Sequence, residues 1–235
     1  MVKAALVVTP IALLVGFAAV AFLGWDDSAE QNLRNSIDKV AETQTGLYQF
    51  TIDQCGDEYK EFRTLCCCDP EYAVLGGVDV VEMYNLYEFD LPKIGDEQYA
   101  AYLPTSSGFY RFLFINEENL ETFKEDPWSY APAWGGFCGY GVALEEKSYA
   151  ADFVKTLGPF VDLSSWAIKG GRLYFFGGSG ARLKFIVYGS HAVALGDENW
   201  GTYYDSGSHY DGHFNTNCFH RQTYEDLING IVTGE

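Results

Sequence analysis

Short apolar runs separated by polar residues and turns occupy the middle of the chain, and this pattern predicts an α+β fold. Tyr110–Ile115 is aromatic and apolar and is predicted to form a strand. Asn116, which follows it, is a residue type whose side chain caps the first free amides of a helix. Glu117–Glu125 is predicted to be that helix, with Leu120 and Phe123 turned inward and the acidic side chains in solvent.

Further short elements are predicted along the chain. Trp128–Tyr140 is aromatic and glycine-rich, which favours an ordered loop packed against a sheet. A helix is predicted around Ala150–Leu157 and strands at Arg172–Phe176 and Leu183–Tyr188. Gly177–Gly180 lies between these strands and predicts a hairpin turn, because it lacks the lysine and the spacing of known phosphate loops. The predicted fold class is therefore a small antiparallel sheet with short helices.

The N-terminal segment Ala4–Leu23 has no charged residue and predicts a single transmembrane anchor. A helix of about 20 residues spans about 30 Å, which matches a bilayer core. Lys3 before the segment and the acidic pair Asp26-Asp27 after it place the N-terminus on the cytoplasmic, stromal or matrix side. A cleaved signal peptide is the alternative, since Ala19-Val20-Ala21 fits a cleavage site, but the length of the apolar run favours a retained anchor. The rest of the chain then faces an extracytoplasmic or lumenal space.

Two amphipathic helices are predicted outside the central domain. Asp27 or Ser28 can cap a stalk helix with one narrow apolar stripe, which is followed by a cysteine-rich segment that resembles a bridged helical hairpin, Cys55–Asp69. A last helix is predicted at Thr223–Val232, with the apolar residues of this stretch buried, namely Leu227, Ile228, Ile231 and Val232.

The net charge of the chain limits the kinds of partner that it is expected to bind. The chain has 33 acidic and 15 basic residues in 235, a formal net charge of -18. An acidic surface repels phosphate backbones, so nucleic-acid binding is not expected, and docking onto a basic protein partner is favoured. Hydrophobic residues make up 48% of the chain, enough for a packed core.

The six cysteines indicate disulfides in a chain that leaves the cytoplasm, although sequence does not choose among the pairings. Neighbouring cysteines seldom bond each other without strain, so Cys66, Cys67 and Cys68 are expected to reach different partners, one of them Cys55. Cys138 has no histidine near it in sequence and is interpreted as a structural cysteine and not as a nucleophile.

A histidine-rich tail is the candidate metal site. His209, Asp211, His213, Cys218 and His220 lie close together in sequence and offer the imidazole, carboxylate and thiolate ligands that suit zinc or copper. The alternative is a surface loop with solvated histidines and a disulfide-bonded Cys218, in which case the remaining residues can still bind a metal more weakly.

Over residues 72–204, several separate motifs resemble those of the YHS-domain family and occur in the same order along the chain. The shared residues follow a strand–helix–turn pattern: Phe112, Phe114, Phe123, Asp126, Pro127, Tyr130, Ala131, Pro132, Gly135, Gly136, Phe137, Cys138 and Tyr140. Leu75–Val81 is similar to the family's first strand, with Val80 where proline is usual. Trp166–Tyr174 and Gly196–Trp200 are similar to motifs of the longer, exported members.

The resemblance implies a division of the chain into domains and the loss of one metal site. The plan is an anchor at 1–25, a stalk and cysteine-rich segment at 26–71, a YHS-like domain at 72–204, and a tail with a C-terminal helix at 205–235. Compact members bind a soft metal through two cysteines, whose positions here are Ile115 and Asn119. Neither residue provides a thiolate, so that metal site is not expected in this chain.

These observations favour a membrane-anchored, non-enzymatic domain that binds a metal or another small ligand. The alternative is an accessory subunit of a larger respiratory or photosynthetic membrane complex, docked through its anchor and acidic domain. No nucleophile elbow, haem motif, redox pair or dinucleotide fingerprint occurs, which makes an enzyme the third choice.

Overall fold

Two β-hairpins, each followed by a helix, make up the frame of the domain. In the first, β1 (Asp96–Thr105) pairs with β2 (Gly108–Phe114), and in the second, β3 (Asp162–Lys169) pairs with β4 (Arg172–Phe176), both antiparallel. The computed structural model describes residues 67–145, 160–204 and 212–222, with 226, 227, 229–232 and 234. Within these residues the predicted α+β class is confirmed, but the strands form two two-stranded sheets and not one.

The helix after the first hairpin has the predicted bounds. α1 spans Glu117–Glu125, and the Asn116 side chain accepts a hydrogen bond from the Asn119 amide at 2.8 Å. Leu120 and Phe123 are buried, as predicted. A short helix, α2 (Pro127–Tyr130), starts directly afterwards, with proline at its first position, where no amide hydrogen is needed.

The aromatic stretch after α2 is more helical than predicted. It contains a turn with left-handed residues, Ala133–Gly136, and a short helix, α3 (Gly139–Leu144), where an ordered loop was expected throughout. The predicted first strand at Leu75–Val81 is replaced by a turn of the same kind, Val74–Gly77, with one isolated bridge from Val78 to Ile94.

The predicted strand at Leu183–Tyr188 is wrong. Helix α4 spans Ser179–Tyr188, and Gly178 caps it, so the predicted hairpin turn at Gly177–Gly180 is wrong too. Alternating apolar residues suggested a strand, but only Phe185 of α4 is buried. A last long helix, α5 (Ser190–Tyr204), follows after Gly189.

The two halves of the domain repeat the same local geometry. Leu75-Gly76-Gly77 and Trp134-Gly135-Gly136 both have three successive left-handed residues, with φ of 53°, 63° and 91° in the first and 51°, 62° and 75° in the second. Each hairpin then has a break in its strand register, between Asp96 and Ala100 and between Asp162 and Trp166. The repeated order is turn, hairpin and helix.

The helices of the two halves also correspond. Each begins three residues after its hairpin ends, at Glu117 after Phe114 and at Ser179 after Phe176. Phe123 of α1 and Phe185 of α4 hold the same position in their helices, and both are fully buried. We therefore treat α1 and α4 as equivalent helices.

An aromatic core joins the halves. Its largest fully buried side chains are Trp134, Trp200, Tyr110, Tyr174, Phe112, Phe114, Phe123, Phe137, Phe175, Phe176, Phe185 and Phe214. Asp197 in α5 accepts hydrogen bonds from Trp134 Nε1 at 2.9 Å and from both terminal nitrogens of Arg172, at 2.9 and 3.0 Å. This interaction ties three of the motifs found in the sequence together.

Several predicted elements lie outside the described residues: the anchor Ala4–Leu23, the stalk helix, most of the cysteine-rich segment and the helix around Ala150–Leu157. None of the helices that the structure does describe is long and apolar enough to span a bilayer. In the C-terminal stretch, Leu227 and Val232 are buried as predicted, whereas Ile231 is 45% exposed.

Candidate functional site

The tail that contains the predicted metal ligands is built into the domain. Residues 214–218 are buried, and Asn215 links the two turns, because its carbonyl accepts from the Leu75 amide at 2.8 Å and its amide donates to the Gly135 carbonyl at 2.7 Å. The amide of Thr216 donates to the Cys67 carbonyl at 2.7 Å. This part of the tail is therefore a core segment and not the surface loop considered as the alternative.

Cys218 forms a disulfide with Cys67, across 151 residues of sequence. A disulfide sulfur offers no thiolate, so the structure gives Cys218 a structural role in place of metal binding. Cys68, which is next to Cys67 in sequence, is a free and buried thiol, and burial raises its pKa well above the ordinary value. Cys55 and Cys66 lie outside the described residues.

The two described histidines of the tail have different surroundings. His213 is partly buried, and burial lowers its pKa. His220 packs against the Phe160 ring, with 5.5 Å between centroids, and burial lowers its pKa too, although the nearby Asp162 acts in the opposite direction. Among the residues described, no three His, Cys, Asp or Glu side chains are grouped so as to hold a metal ion. His209 and Asp211 lie outside them.

The positions of the compact family's metal ligands belong to a hydrogen-bonded network here. Asp79 is fully buried, and its Oδ2 accepts from the Ile115 amide at 2.8 Å and from Asn119 Nδ2 at 2.7 Å. Its Oδ1 accepts from the amides of Val81 and Glu82, both at 2.9 Å. The side chain of Asn119 thus binds a carboxylate of the chain itself.

Cys138 occupies the equivalent place in the second half. It comes two residues after Gly136 of the turn Trp134-Gly135-Gly136, as Asp79 comes two residues after Gly77 of the turn Leu75-Gly76-Gly77. Its Sγ accepts a hydrogen bond from the Gly177 amide at 3.2 Å. Gly177 comes directly after β4, as Ile115 comes after β2. The thiol is 4% exposed, and burial raises its pKa, which favours the uncharged form. These features agree with the structural interpretation of Cys138.

A cleft of about 220 Å³ opens between the segment before β1 and helix α4. Its lining residues combine aromatic, apolar and hydroxyl side chains: Phe89, Leu91, Ser164, Ser165, Trp166, Ser179, Arg182 and Gly234. Trp166 is held by its Nε1, which donates to the Asp90 carbonyl at 2.9 Å, and by its carbonyl, which accepts from Arg182 Nε at 2.7 Å. The walls of the cleft are therefore fixed by hydrogen bonds.

The loop Tyr87–Leu91 at the rim of this cleft exposes large apolar side chains. Tyr87 is 83%, Phe89 76% and Leu91 43% exposed. Phe89 has a φ of 78°, an unusual value for a bulky residue, and its ring lies 4.8 Å from the Arg182 guanidinium. Asp90 braces the loop, because its amide donates to the Tyr87 carbonyl at 3.0 Å and its Oδ2 accepts from the Tyr87 amide at 2.8 Å. We call this segment the rim loop.

The outer face of α4 is a second exposed apolar surface. Leu183 is 62%, Val187 75%, Tyr188 53% and Ile186 37% exposed. Sequence reasoning missed this face because the segment was interpreted as a strand. A signal was present, since the run 163–196 has no acidic residue although the whole chain has 33 of them in 235.

Comparisons of the chain with protein-family models, curated proteins and solved structures found no match. The likeness to the YHS family therefore rests on the motif residues given above.

Proposed function

We propose that this protein is a membrane-anchored accessory subunit whose YHS-like domain docks on a protein partner on the extracytoplasmic or lumenal side. The observation that supports docking is the rim loop, where three large apolar side chains are exposed within five residues. Exposed apolar groups of this kind mark interaction surfaces, and aromatic residues supply much of the binding energy at interfaces. At the rim loop Glu88 is paired with Arg182, and it is the net charge of -18 on the whole chain that favours a partner with basic side chains around an apolar contact.

The backbone of the rim loop strengthens this proposal. A phenylalanine held at φ 78° costs on the order of 1–3 kcal/mol, and such strain is concentrated at binding and switch regions. Phe89 gains little from the domain itself beyond the contact with Arg182, since 76% of it is exposed. A partner that covers the ring supplies the missing burial.

The test uses the full chain, extracted from its native membrane in mild detergent and run on a sizing column. We expect the wild type to elute within a large assembly and the variant Phe89→Gly to elute as a small species. Glycine suits φ 78°, so this variant relieves strain and keeps the fold while it removes the ring. Phe109→Ser is the matched control, because Phe109 is an exposed aromatic residue in β2, at 37%. Co-elution of Phe89→Gly with the assembly, or a wild type that elutes alone, would refute docking through the rim loop.

Binding of a metal or another small ligand is the second candidate. The cleft of about 220 Å³ beside the rim loop supports an organic ligand only, since none of its lining residues is a usual metal ligand. This volume is below the roughly 300–1,000 Å³ of sites for drug-sized molecules, so the ligand is small. For the metal, the residues that remain are His209, Asp211, His213 and His220. Elemental analysis of the same purified sample tests it: near-stoichiometric copper or zinc that is lost in a His209→Ala/His213→Ala variant supports the metal site, and a metal-free wild type contradicts it.

A further inference from the structure

The register break in β3 forms one wall of the cleft beside the rim loop. The break lies between Asp162 and Trp166, and the residues between these two loop out of the strand ladder. Ser164 and Ser165 belong to this bulge, and both line the cleft together with Trp166. The wall therefore places two hydroxyl groups next to an aromatic ring.

The hydroxyl of Ser165 is buried without a hydrogen-bond partner. The residue is 5% exposed, and its Oγ meets no donor or acceptor among the residues that the structure describes. The hydroxyl of Ser164, in contrast, donates to Asp162 Oδ1 at 2.7 Å. Most buried hydroxyls in proteins have a partner, because a polar group that is taken from water and left unpaired is costly. A polar atom of a ligand in the cleft would supply the partner that Ser165 lacks.

The first half of the domain has an aromatic residue at the equivalent position. The register breaks begin after Asp96 in the first hairpin and after Asp162 in the second. Three residues further on, the first hairpin has Tyr99 and the second has Ser165. Tyr99 is partly buried and packs against the core. The repeated architecture thus accommodates an aromatic ring at this position, and the second half has a small residue and a cleft there.

The charge in the cleft is already matched. Among the described residues that line it, Arg182 alone carries a charge. The guanidinium of Arg182 forms an ion pair with Glu88, and its Nε donates to the Trp166 carbonyl at 2.7 Å. An ionised ligand would lose its hydration here without gaining a free countercharge. The cleft therefore favours a neutral ligand.

The volume of the cleft sets the size of that ligand. A cavity of roughly 150 Å³ lined by aliphatic and aromatic side chains holds a benzene molecule. The cleft, at about 220 Å³, has room for one such ring with a small substituent. Phe89 and Trp166 supply aromatic surface, and aromatic rings favour contact with another ring.

We propose that the cleft binds a neutral single-ring aromatic molecule with a hydroxyl or carbonyl oxygen, its ring against Phe89 and Trp166 and its oxygen on Ser165. The inference rests on small-ligand binding, the second candidate of the proposed function, and names the class of ligand. The serine hydroxyl can donate or accept, so it pairs with either kind of oxygen. The ring of the ligand covers part of Phe89, which is 76% exposed.

The experiment uses the full chain in mild detergent and follows three probes by fluorine NMR. The probes are para-fluorophenol, fluorobenzene and para-fluorobenzoate, which share one ring and differ in oxygen group and charge. Empty micelles give the background for each probe. We expect the wild type to bind the phenol roughly three- to tenfold more tightly than fluorobenzene, the contribution of one net hydrogen bond. The benzoate should stay at background. Equal binding of phenol and fluorobenzene, or tighter binding of the benzoate, would overturn the proposal.

Two substitutions of Ser165 test the hydroxyl and the space separately. Ser165→Ala removes the hydroxyl and keeps the space, so affinity for the phenol should fall to that for fluorobenzene. Ser165→Tyr places in the second hairpin the residue that the first one has, and its ring should abolish binding of both probes. Ser107→Ala is the matched control, because Ser107 lies between β1 and β2 and does not line the cleft. A preference for the phenol that survives Ser165→Ala contradicts the proposal.

Near-ultraviolet circular dichroism checks the fold of each variant. If Ser165→Tyr does not fold, Ser165→Ala decides the outcome, since it adds no atom to the cleft.

The probes also separate failure of this inference from failure of the proposed function. Fluorobenzene that binds and is excluded by Ser165→Tyr, without a preference for the phenol, leaves organic-ligand binding in place and refutes the ligand class proposed here. If no probe binds above the micelle background, organic-ligand binding in the cleft fails together with this inference. Docking through the rim loop is measured separately, on the sizing column, and does not depend on either result.

Discussion

Replacing Asp79 by alanine is expected to destabilise the domain by about 4 kcal/mol. The carboxylate is fully buried and accepts four hydrogen bonds at 2.7–2.9 Å. Three come from backbone amides and one from the Asn119 side chain, and together they join the segment before β1 to the end of β2 and to helix α1. In Asp79→Ala the four donors lose their acceptor, and the buried space that the carboxylate filled is left empty.

The magnitude follows from the number and kind of these bonds. A hydrogen bond to a charged group contributes about 1.5–3 kcal/mol, and the contributions of a shared acceptor do not add fully. Removing one member of a buried charged network typically costs about 3–5 kcal/mol, which sets the estimate near 4. For a domain of this size, about 1 kcal/mol corresponds to a shift in Tm of roughly 2–4 °C, so Asp79→Ala should melt about 10 °C lower.

Thermal unfolding of the full chain in detergent, followed by near-ultraviolet circular dichroism of the buried aromatic residues, measures this shift. Asn119→Ala removes one of the four donors to the carboxylate and is expected to cost about 1.5–3 kcal/mol. Glu121→Ala is the control, since its ion pair with Lys124 at 3.1 Å is exposed and such pairs contribute below about 1 kcal/mol. If Asp79→Ala melts at the same temperature as Glu121→Ala, the buried network does not stabilise the domain and the reasoning is wrong.

Three further predictions concern the tail and its surroundings. Replacing Cys67 and Cys218 by serine should lower stability by about 2–5 kcal/mol, because the link closes a long loop; an unchanged midpoint in chemical denaturation would contradict this. Gly135→Ala should unfold at a lower temperature, because φ is 62° and the new Cβ would lie 2.0 Å from the His213 carbonyl oxygen. Gly201→Ala is the matched control in α5, where a Cβ meets open space, and should gain up to about 1 kcal/mol of stability. Equal melting temperatures of the two variants would refute the steric argument. Burial lowers the pKa of His213, so as the pH decreases below about 6.5 the unfolded state takes up the proton first and the protein becomes less stable. His213→Gln should reduce this loss of stability, and melting curves recorded across the pH range will test it.

Local rules account for the parts of the fold that were predicted correctly. The cap of α1 depends on the polar side chain of Asn116 and on amides within three residues of it, so it can be recognised without the rest of the chain. The inward side of α1 follows from helical periodicity at Leu120 and Phe123. Strand β4, Arg172–Phe176, has the predicted bounds because its run of aromatic and apolar residues ends at glycines.

The errors occurred where two structures share one pattern. Leu183, Phe185 and Val187 alternate with other residues as in a strand, yet the same residues form a helix with one buried side. Phe185 decides between them, because its ring lies 5.0 Å from that of Tyr174 and 6.0 Å from that of Trp134, between centroids. Those partners are distant in sequence, and no local rule includes them.

In the candidate site, too, some features follow from the sequence and others depend on the tertiary structure. By itself the sequence determined which residue types are available: the tail's histidines and Cys218, the absence of thiols at Ile115 and Asn119, and the strong negative charge. Only the tertiary structure decided that Cys218 pairs with Cys67, that Asn119 binds Asp79, and that the apolar face of α4 points outward. Composition and periodicity depend on neighbours along the chain, whereas pairing, burial and exposure depend on residues that meet only after folding.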